Sequence, residues 1–191
     1  ALEKAMRMYN GKAMINSVNG KQSSMSEVFP LVQKYGGVVV CLCLDENGIP
    51  ETAKGRIAIA EKIIKTAESY GIDKKDLVVD ALVMTISTNK DNAKETLNAV
   101  EYIRHELGVG TVLGVSNISF GLPKREAINT AFFTLALKAG LSAGIINPLS
   151  ESMMNAYYSY NALEGFDDNC TEYIESVTQS ANNNASSGVT D

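Results

Sequence analysis

Four apolar runs in this chain end on small polar side chains that can hold a ligand by hydrogen bonds. Met14-Ile15 runs into Asn16-Ser17, and Leu77-Val78-Val79 into Asp80. Thr111-Val112-Leu113-Gly114-Val115 runs into Ser116-Asn117, and Ile145-Ile146 into Asn147. A further run, Val38 to Leu44, is followed by Asp45. An amide both donates and accepts, and a carboxylate accepts from several donors at once. Each position also has an ordinary explanation, because Asn and Asp after a strand commonly make turns or cap the next helix. Asp80 is harder to dismiss. The chain continues apolar through Ala81-Leu82-Val83, and a carboxylate inside an apolar strand must find donors to be tolerated.

Other chemistries find little support. Cys41 and Cys43 fall on the same face of a strand, with no second pair to complete a metal site, so they read as core. Cys170 stands alone, and three cysteines make no disulfide framework. The one histidine, His105, lies between Arg104 and Glu106 on a helix and reads as solvent-facing. Gly108-Val109-Gly110 precedes a strand rather than following one, so it is no dinucleotide fingerprint. Tyr157, Tyr158 and Tyr160 read as packing residues. What remains is binding by amides and a carboxylate, without a metal or a covalent protein nucleophile.

The elements that must position these groups follow a regular rhythm. A short helix over Leu2 to Tyr9 ends at Asn10-Gly11, and a strand over Ala13 to Gly20 turns polar at its far end. Ser26 is expected to cap a helix through Lys34, closed by Tyr35-Gly36-Gly37. Val38 to Leu44 reads as a strand buried on both faces. Thr52 or Ala53 opens a helix to Tyr70 with Ile57, Ala60, Ile63, Ile64 and Ala67 on one side. Leu77 to Val83 is the next strand, and a helix follows over Asn92 to Leu107. Thr111 to Leu113 hands over, through Gly114 to Pro123, to a helix over Lys124 to Ala139. Ser142 to Pro148 is a strand, and Ser150 caps the last helix. Strand, loop and helix thus repeat about five times without hairpin signals, which predicts a parallel α/β sheet with its binding residues at the carboxyl edge.

The chain has 191 residues, 45% of them apolar, enough to bury a core and suited to one domain. Charged residues make up 20% and the net charge is -5, so no basic surface for nucleic acid is implied. The longest apolar run is far shorter than a membrane span, and Ala1 to Asn10 does not resemble a secretory signal. A cytoplasmic location is the expectation. From Ser180 onward the composition turns to Asn, Ser and Ala, which reads as a linker over 180–191 after a domain over 1–179.

Met14-Ile15-Asn16-Ser17, Val79-Asp80, Gly114-Val115-Ser116-Asn117-Ile118-Ser119-Phe120-Gly121-Leu122-Pro123 and Ile145-Ile146-Asn147-Pro148, in this order, give a resemblance over about Ala1 to Asp168. The chain resembles the pterin-binding methyltransferases that act on methyltetrahydrofolate. These include the folate domain of cobalamin-dependent methionine synthase and methyltetrahydrofolate:corrinoid/iron-sulfur protein methyltransferase. The resemblance implies a TIM barrel, and methyl transfer from folate N5 to a cob(I)alamin or other corrinoid carried on another domain or protein. The loops and tail lean toward methionine synthesis. By the same resemblance Asn16 and Asp80 hydrogen-bond the pterin ring, and Asn117 is the catalytic amide beside N5. Ser116 and Arg125 help to position that amide and the substrate. Gly114 and Asn147 are assigned to the same substrate site.

A full barrel needs eight strand-helix units, and about five are legible here. The chain therefore reads as the later part of such a barrel, with the edge at Ala13-Met14-Ile15 left open to pairing. A homodimer could cover that edge. The rival expectations are a truncated barrel fragment that folds or self-associates without turnover, and an unrelated α/β binding module.

Overall fold

The structure, a computed structural model, describes residues 1–186. Five strands, β1 (Met14–Asn19), β2 (Val38–Leu42), β3 (Leu77–Asp80), β4 (Gly110–Gly114) and β5 (Ala143–Ile145), form one sheet in the order in which they occur. Every neighbouring pair is parallel. Helices α1 (Leu2–Met8), α2 (Gln22–Tyr35), α3 (Ala53–Ser69), α4 (Asn92–His105), α5 (Arg125–Lys138), α6 (Glu151–Leu163) and α7 (Thr171–Ser186) alternate with the strands or follow them. This is the sequential β/α winding of a TIM barrel, present as five units among the described residues.

The alternation of side chains along each strand decides which groups can reach a ligand. Ile15, Val39, Cys41, Leu77, Val79 and Leu113 are buried against the helices. They meet Phe29 and Val32 of α2, Ile63 and Ala67 of α3, Val100 and Ile103 of α4, and Phe132 and Phe133 of α5. Full burial of each large apolar side chain contributes about 1.5–3 kcal/mol. Asn16, Val40, Val78, Asp80, Val112 and Gly114 alternate with these core residues and so face the other way.

Some boundaries differ from expectation. Helix α2 starts at Gln22, so Ser26 is an interior residue whose hydroxyl donates to the Ser23 carbonyl at 3.1 Å. The turn into α2 is instead made by Asn19, whose side-chain oxygen accepts from the Lys21 N–H (3.0 Å) while its own N–H donates to Ser24 Oγ (3.2 Å). Strand β3 stops at Asp80, because Leu82 takes a left-handed backbone conformation (φ 61°) that no strand accommodates. The carboxylate therefore sits at a strand end, not inside a strand. Thr52 caps α3 as expected, accepting from the Gly55 N–H at 3.2 Å. Ser150 caps α6, which is not the last helix, since α7 follows. The linker expected over 180–191 falls partly on α7 and partly outside the described residues. No helix among the described residues is long and apolar enough to cross a membrane.

Gly37 sits where α2 hands the chain to β2, at φ 136°, a conformation open in practice to glycine alone. A Cβ there would collide with Ile15 and lie 3.0 Å from the Ala13 carbonyl oxygen. Strain and collision together should make Gly37→Ala less stable by at least about 2 kcal/mol in urea unfolding. A variant within about 0.5 kcal/mol of the parent would show that this crossing is not tight.

Candidate functional site

All five strands point the same way, so their carboxyl ends share one edge. In the register, Asn16 pairs with Val40 and Val40 with Val78, and Asp80 lies two residues beyond Val78. Strand spacing and rise put the Asn16 and Asp80 Cα atoms roughly 12 Å apart on the open face. The Asn16 side chain is exposed, and its peptide bond to Ser17 is cis. Asp80 is half-buried, with one carboxylate oxygen accepting from the Leu82 N–H at 2.8 Å. Burial pushes the Asp80 carboxyl above its ordinary range, and the Leu82 N–H partly offsets this.

Beyond β4 the chain turns through one 3-10 segment, Val115–Ser119, which presents Asn117 to solvent. Val115 and Ile118 bury themselves on either side of it and anchor the turn. Gly114 lies close under the Asn117 amide: a Cβ there would be 3.1 Å from Asn117 Nδ2, a tight contact that would oblige the amide to give by a few tenths of an ångström. Arg125, the first residue of α5, braces the turn from behind. Its Nε donates to Ser119 Oγ (3.0 Å) and its Nη2 to the Ser116 carbonyl (2.7 Å). Buried Ser119 in turn donates to Asn129 Oδ1 at 2.7 Å. The loop after β3 is fastened to the same turn. Ile86 N–H donates to the Ile118 carbonyl (3.0 Å), and the hydroxyls of Thr85 and Ser87 both donate to the Phe120 carbonyl (2.8 and 3.0 Å).

Ser116, Arg125 and Asn147 line a cavity of about 540 Å³ together with Glu126, Asn129, Ile145, Ile146, Ser150 and Met153. Asn16, Asp80, Gly114 and Asn117 are not in its walls: Asp80 and Gly114 end β3 and β4, Asn117 is in the turn after β4, and Asn16, expected at a strand end, lies inside β1, which runs on to Asn19. Asn147 makes the ordinary Asx turn as well, accepting from the Leu149 N–H at 3.1 Å. Asp45 does the same for Asn47, at 2.8 Å. Both cysteines of β2 and its extension are buried and inert, the Cys41 thiol being pushed up to about 12 by burial and that of Cys43 further still. His105 is exposed. Sequence reasoning missed Ser119, Thr85 and Ser87, which donate to backbone carbonyls, and Asn129, which accepts from Ser119; such work leaves no periodic trace.

Comparison with known proteins follows the same line. The family model described as pterin binding enzyme matches residues 1–147. The methylcorrinoid:tetrahydrofolate methyltransferase of Eubacterium limosum is 29% identical over 171 residues, 87% of this chain and 62% of that protein. The methionine synthase of Mycobacterium tuberculosis is 33% identical over 167 residues, 81% of this chain and 14% of its own length. A crystal structure of a Clostridium difficile dihydropteroate synthase, in the presence of pteroic acid, superposes with a TM-score of 0.63 at 19% identity. It covers 85% of this chain and 63% of its own, and the likeness is one of fold. The chain thus spans under two thirds of the length of each of these relatives.

The raised carboxyl of Asp80 has a measurable signature. Its folded form holds a proton to higher pH than its unfolded form, so this group's stabilising contribution is complete below the unfolded value, near pH 3.8, and is lost as pH rises through the folded one. Asp80→Asn should remove that loss. The unfolding free energy of the variant relative to the parent should climb across this interval and level off above it. Parallel stability curves from pH 3 to pH 8 would sink the assignment.

Proposed function

The chain belongs to the pterin-binding enzyme family, and from that premise we propose that its strand ends hold methyltetrahydrofolate for methyl transfer from N5 to a corrinoid. The observation that carries this reading is the pairing of a half-buried carboxylate, Asp80, with an exposed amide, Asn117, on a doubly braced turn at the same sheet edge. The amino-pyrimidine edge of a pterin offers adjacent N–H donors, and a carboxylate accepts two of them at once. Asp80 has this capacity left after its bond to Leu82, and Asn16 supplies a further amide on the open face. Ser116, Arg125 and Asn147, in the walls of the neighbouring cavity, contact the rest of the folate.

Chemistry at N5 explains why an amide is needed. A tertiary amine is a poor leaving group until its nitrogen gains a proton or a strong hydrogen bond. As the carbon–nitrogen bond breaks, the electron pair settles on N5, which takes up a proton from solvent, and the Asn117 amide hydrogen-bonds that nitrogen as the charge shifts. Such a bond strengthens as charge develops, which lowers the barrier without tightening the ground state. Gly114 leaves room for the amide, and Arg125 with Ser119 keeps the turn from relaxing. A corrinoid carried as cob(I)alamin on another domain or protein would supply the nucleophile and the acceptor for the methyl group. The same donor serves the reverse direction, because it acts on the nitrogen and not on the acceptor.

Asn117→Ala should lower the rate of methyl transfer to free cob(I)alamin by about 100- to 1000-fold while changing the Kd for methyltetrahydrofolate only a few-fold. Equal losses in rate and affinity would make Asn117 a binding residue only. Isothermal titration of the chain with methyltetrahydrofolate should show binding. No heat at millimolar ligand would overturn the reading in favour of a pterin-family fold without turnover.

A further inference from the structure

Arg56 lies in the first turns of α3, against the segment that leaves β3, and its charged side chain is 0% exposed. A buried guanidinium needs partners. Nε donates to the Pro50 carbonyl at 2.9 Å, and Nη1 donates to the Leu82 carbonyl at 3.0 Å and to Thr96 Oγ1 at 2.8 Å. Nη2 finds no hydrogen-bond partner among the described residues. An apolar side chain of similar volume would fill the same space without that desolvation penalty, so packing alone does not account for an arginine here. The titratable groups that act on it are Cys43 and Glu95. Glu95 accepts from the Ala53 N–H at 2.6 Å, and the Cys43 thiol is buried beside both Asp80 and Arg56.

The informative partner is Leu82. Its left-handed backbone (φ 61°) is costly for a branched residue. Its N–H is the donor to the Asp80 carboxylate, and its carbonyl accepts from Arg56. One residue in a strained conformation is therefore gripped at both ends, by a buried cation behind and by the site carboxylate in front. A second branch runs through Thr96, which donates to the Asn92 carbonyl at 2.8 Å. The Asn92 amide, nearly buried, then donates to the Thr85 carbonyl at 2.7 Å, in the loop that is fastened to the Asn117 turn.

We propose that Arg56 is a positioning residue: it locks Leu82 in its left-handed conformation so that the Leu82 N–H aims the Asp80 carboxylate at the bound pterin. The folate assignment above is the premise for the second half of that statement, while the first half concerns Asp80 alone.

Arg56→Lys tests it, since one ammonium cannot reproduce the planar fork that reaches Pro50, Leu82 and Thr96 together. With Asp80 followed by carboxyl-carbon NMR in the full chain, without ligand, its pKa should rise in the variant, because the Leu82 N–H that favours the ionised form is loosened. Affinity for methyltetrahydrofolate should fall about tenfold in the parent background and less than twofold when Asp80→Asn is already present. Adding Leu82→Gly, which adopts a positive φ freely, should restore at least half of the loss. If Arg56→Lys does not fold, Thr96→Val, which removes one of the acceptors on Nη1, should raise the Asp80 pKa in the same direction by less. An unmoved Asp80 titration, or equal losses with and without the Asp80 carboxylate, would overturn the proposal. A parent chain that binds no methyltetrahydrofolate, while its Asp80 titration still responds to Arg56→Lys, would overturn the folate reading and leave the positioning of Asp80 standing.

Discussion

Parallel pairing is the constraint on which the rest of this molecule depends. It forces every strand to finish at the same edge, and the side-chain period of two forces each strand to divide its residues between a helix-covered face and an open one. The covered face takes Ile15, Val39, Cys41, Leu77, Val79 and Leu113 and the large residues of α2 to α5. What is left for the open face is a short set of positions, among them Asn16 within β1 and Asp80 and Gly114 at the ends of β3 and β4. No special device is needed to bring such residues to one side of the protein. The winding does it.

Placement along an edge is coarse, and the finer geometry comes from hydrogen bonds to main-chain carbonyls. Arg125 and Ser119 hold the Asn117 turn through Ser116 and the α5 residue Asn129, while Arg56 holds the residue after β3 through Leu82. Both are arginines rooted in the first turns of a helix, and both reach forward to the loop that precedes or neighbours it. A guanidinium suits this work because its donors lie in one rigid plane, so several bonds together define an orientation. Side-chain identity at the site and backbone shape around it are thus set by different residues.

Much of this arrangement is legible from the residues alone. Apolar runs mark the five strands, although β1 continues past Asn16 to Asn19, and Thr52 and Ser150 mark helix starts because their hydroxyls satisfy orphan N–H groups. The start of α2 is not legible by that rule, since Lys21 carries no capping oxygen and the turn is closed two residues earlier by Asn19. The end of β3 is hidden because Leu82 is apolar and β-compatible by type; only its φ, held from both sides, ends the strand. Arg56 is hidden for the opposite reason. A cation within an amphipathic helix reads as solvated, and its burial depends on carbonyls and a hydroxyl supplied by distant segments. Helix α7 escapes notice because its second half, rich in Asn and Ser, has the composition of a linker.

The fastening of the loop after β3 to the turn after β4 has a kinetic side. Thr85, Ile86 and Ser87 share three bonds with Ile118 and Phe120, so neither segment can swing outward while the other stays in place. Their opening is then a single cooperative fluctuation, rarer than the fraying of either loop alone. Any molecule that enters or leaves between Asp80 and Asn117 meets two segments moving as one door, and the lifetime of what is held behind it is set by how often that door breaks all three bonds together.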